Sequence, residues 1–121
     1  MGYQQIILTP VGTAGSATAT AYSALAMQGF ITAIRVTSVG VPNTATIAIT
    51  EDGGMKQSIL ALAAAYADGV YNPTAEADTQ AGAAVVGSRW LIFLTGSKVK
   101  VVVALADAAA DAVTIDIYTT K

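Results

Sequence analysis

From Thr44 to Thr50 the side chains take turns: Ala45, Ile47 and Ile49 fall on one side, Thr44, Thr46 and Ala48 on the other. Near the end of the chain Val113, Ile115 and Ile117 alternate in the same way with Thr114, Asp116 and Tyr118. A period of two marks a half-buried strand, because successive side chains of a strand leave opposite faces, whereas an amphipathic helix repeats near 3.6. The alternating stretches are short and are closed by turn formers: Pro10, Gly40-Val41-Pro42-Asn43, Glu51-Asp52-Gly53-Gly54 and Gly96-Ser97. Glycine supplies positive φ and proline a fixed φ, so these clusters punctuate the chain.

The pattern predicts about eight strands, over residues 4–9, 16–22, 30–39, 44–50, 57–63, 89–95, 98–105 and 112–119. In the third, Phe30, Ile34 and Val36 share a face opposite Arg35 and Thr37. The expected fold is all-β, an antiparallel β-sandwich or jelly roll in a single domain over residues 1–121. Residues 55–68 are open to two readings: Ile59, Leu62, Ala63 and Tyr66 fit helical spacing, and the all-β surroundings favour a strand. Residues 68–87 read as a long loop, a length that usually carries function or packs on a partner.

Composition narrows the chemistry. The chain has no cysteine and no histidine, which removes disulfides, thiolate metal sites and the commonest general base and metal ligand. Six basic residues scattered singly make no phosphate-binding stripe, so nucleic acid is not an expected partner. No apolar run approaches the roughly 20 residues of a bilayer-spanning helix, and no membrane partner is expected. Charged residues make up 12% of the chain, about half the usual share. Alanine (25) and threonine (15) fill a third of it. A surface so poor in charge suggests that part of it is covered by another subunit.

No constellation reads as an active site, and no catalytic, cofactor or metal residues are assigned. Counting a calcium loop from Glu76 puts glycine at the seventh position and Gly87 at the twelfth, where the motif needs glycine sixth and an acid twelfth. Gly12-Thr13-Ala14-Gly15 is too short for a phosphate-cradling loop. A serine or lysine nucleophile would lack a histidine partner. The expectation is a protein that is not an enzyme.

Two stretches are apolar on both faces instead. Trp90, Ile92 and Leu94 fall on one side of a strand, with Leu91 and Phe93 on the other. Val99, Val101, Val103 and Leu105 likewise oppose Val102 and Ala104. An antiparallel strand with no wet face needs a second cover, either a loop of its own chain or a neighbouring subunit. Tyr71, Trp90, Leu91, Phe93 and Val102 are therefore the candidate interface residues. Tyr71, in Asp68-Gly69-Val70-Tyr71-Asn72-Pro73, would bury a ring while keeping its hydroxyl bonded.

The order of these pieces resembles a group of small virion proteins of tailed bacteriophages. The matching stretches are Ile47-Ala48-Ile49-Thr50 with the Glu51-Asp52-Gly53 turn, Gln57-Ser58-Ile59-Leu60, and Asp68-Gly69-Val70-Tyr71-Asn72-Pro73. The Gly82 loop, Gly96-Ser97-Lys98-Val99-Lys100-Val101 and Val113-Thr114-Ile115-Asp116-Ile117-Tyr118 complete the set. Val70 stands where the family often has a second aromatic, and no arginine follows Pro73. The resemblance implies a capsid decoration, or cement, protein: a homotrimer bound to the major capsid protein on the virion surface. In that setting residues 1–9 or 68–87 would reach the shell. A carbohydrate- or surface-binding β-sandwich module and a tail or neck component are the alternatives.

Overall fold

A computed structural model describes residues 2–53, 56–78, 81–82, 84–109 and 111–120. The strands are β1 (Gly2–Leu8), β2 (Ala17–Tyr22), β3 (Met27–Ser38), β4 (Thr46–Asp52), β5 (Ser58–Leu62), β6 (Gly69–Tyr71), β7 (Thr74–Asp78), β8 (Ala84–Leu91), β9 (Phe93–Ala106) and β10 (Val113–Thr120). All pairings among them are antiparallel. Residues 58–62 form a strand, so the ambiguous segment follows the alternation reading.

Two sheets face each other across the core, making an antiparallel β-sandwich. The first runs β1-β10-β3, and the far side of β3 is shared by β6 and by the start of β9. The second runs β2-β9-β4-β5. A separate two-stranded hairpin, β7-β8, sits between β6 and β9 in the chain. Alternation fills the space between the sheets: Ile34, Val36, Ile115 and Ile117 come from the first, Ile47, Ile49, Val101 and Val103 from the second, each 1% exposed or less. Burying a side chain of this kind contributes about 1.5–3 kcal/mol.

Strand β9 joins the two sheets. The pair Gly96-Ser97, expected as a tight turn between two strands, lies inside it. Gly96 adopts φ 90° and is the extra residue between the Met27–Ser97 and Gln28–Thr95 pairs. A glycine at positive φ serves a bulge as well as a turn, and a bulge bends a strand without ending it. Up to Ser97 the strand pairs with β3; from Lys98 onward it pairs with β4. The interruption falls at Ile92 instead, whose carbonyl accepts from the Ile31 amide.

Two further bulges overturn expected facings. Thr32 is unmatched between the Tyr118–Ala33 and Thr119–Ile31 pairs, so the phase of β3 slips by one. Ile31 goes inward and Phe30, expected to share a face with Ile34, is turned outward at 39% exposure. On β9 two residues, Ala104 and Leu105, oppose the single residue Thr18 of β2. Leu105 takes φ 54° and points out, while Ala106 fills the core in its place. The loop expected over 68–87 contains β6, β7 and the start of β8. The segment expected to reach out over residues 1–9 includes β1, which pairs with β10 from Gly2 to Leu8.

Candidate assembly surface

Phe30 of β3 and Phe93 of β9 are cross-strand partners, and their rings meet edge to face with centroids 5.1 Å apart. Both are about two-fifths exposed. Leu91 (42% exposed) and Trp90 (64%) precede Phe93 on the approach from the hairpin, where they pair with Thr74 and Ala75 of β7. Ile92 and Leu94 of the same stretch are buried. The sequence reading put Trp90 on the face of Ile92 and Leu94; the break at Ile92 separates them and leaves Trp90 outward. Phe30, Trp90, Leu91 and Phe93 are thus four large apolar side chains left exposed among the described residues.

The other two candidate residues lie elsewhere. Tyr71 is half-buried against the core, and its hydroxyl donates to the Ala67 carbonyl inside its own loop. Val70, at 62% exposure, is the side chain that β6 presents outward. Val102 stands on the outward face of the second sheet, half-buried between Thr20 of β2 and Ala48 of β4. Trp90, Leu91 and Phe93 fall within four consecutive residues at the end of β8 and the start of β9, Tyr71 is on β6, and Val102 is on the second sheet. Phe30, the cross-strand partner of Phe93, is missing from the sequence reading, because the bulge that turns it outward leaves no mark in the alternation.

Among the described residues two acids are withdrawn from water. Glu51, 1% exposed, sits where β9 leaves the first sheet. Its Oε2 accepts from the Thr95 amide (2.9 Å) and hydroxyl (2.8 Å), and its Oε1 accepts from Gln57 Nε2 (3.4 Å). Gln57 Nε2 also donates to the Phe93 carbonyl at 2.6 Å. The carboxylate thus ties β4 to the segment before the Gly96 bulge, satisfying an amide that the bend takes out of the ladder. Asp116, 9% exposed on the outer face of the first sheet, accepts from Tyr3 Oη (2.8 Å) and Gln5 Nε2 (2.9 Å) of the neighbouring edge strand. The hydrogen bond to Asp116 holds the Tyr3 phenol above its ordinary pKa, with small additions from desolvation and from the Asp116 charge. Both acids are occupied by donors and act as joints.

An open cavity of about 310 Å³ is lined by Ser38, Asn43, Tyr66 and Asp68 among others. Asp68 Oδ2 accepts from the Ser38 amide at 3.0 Å, and the Ser38 and Tyr66 hydroxyls are 2.6 Å apart. Burial raises the Tyr66 pKa, the Ser38 bond opposes that, and the Asp68 charge adds to it. The phenol therefore keeps its proton near neutral pH. Among the described residues no group of three or more acids could hold a metal ion, and no helix is long and apolar enough to cross a membrane.

No protein-family model matches the chain, and no curated protein matches it by sequence. Among solved structures it is similar to an exo-β-1,3-galactanase from Phanerochaete chrysosporium, crystallised with galactose, at 15% identity and a TM-score of 0.36. The match covers 97% of this chain and 27% of the galactanase chain, so the chain spans about a quarter of that protein's length. A likeness of that size carries nothing about chemistry.

Proposed function

We propose that the chain is a structural subunit of a larger assembly and not an enzyme, and that its exposed cluster of Phe30, Phe93, Leu91 and Trp90 is where another subunit docks. The observation that carries the reading is this cluster. Phe93, its cross-strand partner Phe30 and Trp90 three residues before it are exposed at 39–64%, and exposed aromatic side chains brought together are unusual for a monomer and typical of contact surfaces. The resemblance of the sequence to tailed-phage virion proteins supports the finer reading: a capsid decoration protein, homotrimeric, bound to the major capsid protein on the virion surface. The strand orders support a jelly roll, since β1-β10-β3-β6 facing β2-β9-β4-β5 is the pattern of two interlocked Greek keys. In this setting many modest contacts add up through multivalency.

The test is a native mass measurement of the protein alone and with empty capsid shells. Trimers alone and saturable binding to shells, both weakened tenfold or more by Trp90→Ala with Phe93→Ser, are expected. A monomer at all concentrations with no shell binding would exclude the decoration role. A second reading rests on Trp90 itself, an exposed ring suited to stacking on a sugar. Glycan binding that is lost in Trp90→Ala, with no oligomer formed, would favour the carbohydrate-binding module.

A further inference from the structure

Strand β1 is an open sheet edge with none of the usual guards. It pairs with β10 along Gly2–Leu8 without a register shift, and no other strand takes its free side among the described residues. Alternate amides and carbonyls of such an edge face outward and can template another strand. Natural edges are blunted by charge, proline, bulges or brevity. The other edges of the sandwich show such devices: β6 has three residues, and β5 has five with Ile59 as an extra residue between the Leu60–Ile49 and Ser58–Thr50 pairs. β2 faces the Leu105 bulge. β1 has seven regular residues, Gly-Tyr-Gln-Gln-Ile-Ile-Leu, without charge or proline, and the first charged residue of the whole chain is Arg35.

We infer that β1 pairs antiparallel with β1 of a second copy of this chain, about a twofold axis at Gln5. The strand is its own complement in that register. Tyr3 would stand opposite Ile7 of the other copy, an aromatic on a β-branched side chain, each now 49% exposed. Gln4 would face Ile6, Gln5 would face Gln5, and no like charges would meet. A twofold contact is closed within the pair, so it consumes both free edges. A heterologous segment would need a matching partner, whereas the copy is present by construction at equal concentration. One strand pair is small beside the roughly 1,200 Å² of a stable interface, so the dimer forms at concentrations on the order of 100 µM. The inference concerns an edge separate from the Phe30–Trp90 cluster and does not rest on it.

The absence of cysteine gives a clean trap. Opposed residues of an antiparallel pair lie about 4.5–5.5 Å apart at Cα, within disulfide reach. Under mild oxidation at 100 µM, Gln5→Cys is expected to form covalent dimer at least tenfold faster than Thr20→Cys, which is exposed on the second sheet. Adding Ile7→Lys, which places a charge on the edge, is expected to slow it tenfold, and adding Trp90→Ala to leave it unchanged. Equal rates for Gln5→Cys and Thr20→Cys would overturn the inference. A readout on the unmodified chain guards against misfolding of the variant: amide exchange over Gly2–Leu8 is expected to slow as concentration rises from about 1 to 100 µM. Exchange independent of concentration overturns the pairing, as does protection gained only on adding a different protein.

Discussion

On the outer face of the first sheet Tyr3 lies against Tyr118 with ring centroids 4.9 Å apart, and Gln5, Asp116 and Arg35 stand in the next row. On the outer face of the second, one row reads Thr20, Val102, Ala48 and Ala61. Both faces obey the same alternation, and the residues pointing the other way are equally well buried. The first outer face is held by specific bonds: Asp116 draws Tyr3 and Gln5 onto β10 and so fastens the edge strand. The second is smooth, made of small side chains whose worth lies in fitting a pleated surface. The difference shows that a sheet face can be closed by small side chains alone, while polar side chains are used where an edge strand must be anchored.

The corner shared by both sheets should give the largest effect. Glu51→Ala leaves the Thr95 amide and hydroxyl without their acceptor and is expected to lower stability by about 3 kcal/mol in urea unfolding. Glu51→Gln, which can still accept from Thr95, should lose only about 1 kcal/mol. Equal losses would mean that the charge, not the bend, is what the corner needs. Next, Asp116→Ala is expected to lower Tm by on the order of 5 °C by freeing Tyr3 and Gln5. A change under a degree would erase the distinction between the two outer faces.

A pH series sharpens the same contrast. The Tyr3 phenol ionises at higher pH in the folded than in the unfolded chain, so its contribution is full below pH 10 and is lost as pH rises through the folded value. Unfolding measured from pH 8 to 11.5 should show a steeper alkaline loss in the native chain than in Tyr3→Phe. The reverse order would contradict the bond to Asp116. The smallest effect is expected on the second face: Val102→Thr should change stability by less than about 0.5 kcal/mol in the monomer, since its surroundings are small and half-exposed. A larger loss that grows with protein concentration would reveal a partner on that face.

Most of the strands that face the core, and the core itself, were legible because alternation and turn formers are local; the count of about eight fell short of the ten present, since β6 and β7 lie in the stretch expected as a loop. Ile47, Ile49, Ile115 and Ile117 are buried where their spacing placed them. The candidate surface was legible only in part. Leu91, Phe93 and Trp90 stood out as apolar residues on a strand already furnished with an inner face, but Phe30 hid behind a bulge, and Tyr71 was outranked by its neighbour Val70. β7, short and carrying Glu76 and Asp78, and the start of β8 fell inside the stretch expected as a loop, while the end of β8 from Arg89 was expected as strand.

The sequence by itself determined that the alternating stretches fold as antiparallel strands with one face against a common core, because side chains at a period of two share a face only in a strand. Its lack of histidine and cysteine likewise limited its chemistry before any fold was drawn. Tertiary structure alone decided which glycine turns the chain and which only bends it. Gly96 has the composition of a turn, but β3 and β4 offer backbone partners on both sides of it, so the strand continues from one sheet into the other. It also decided that Glu51 is interior: an acid beside a glycine pair reads as surface until a bulge elsewhere leaves an amide that only a carboxylate from β4 can reach.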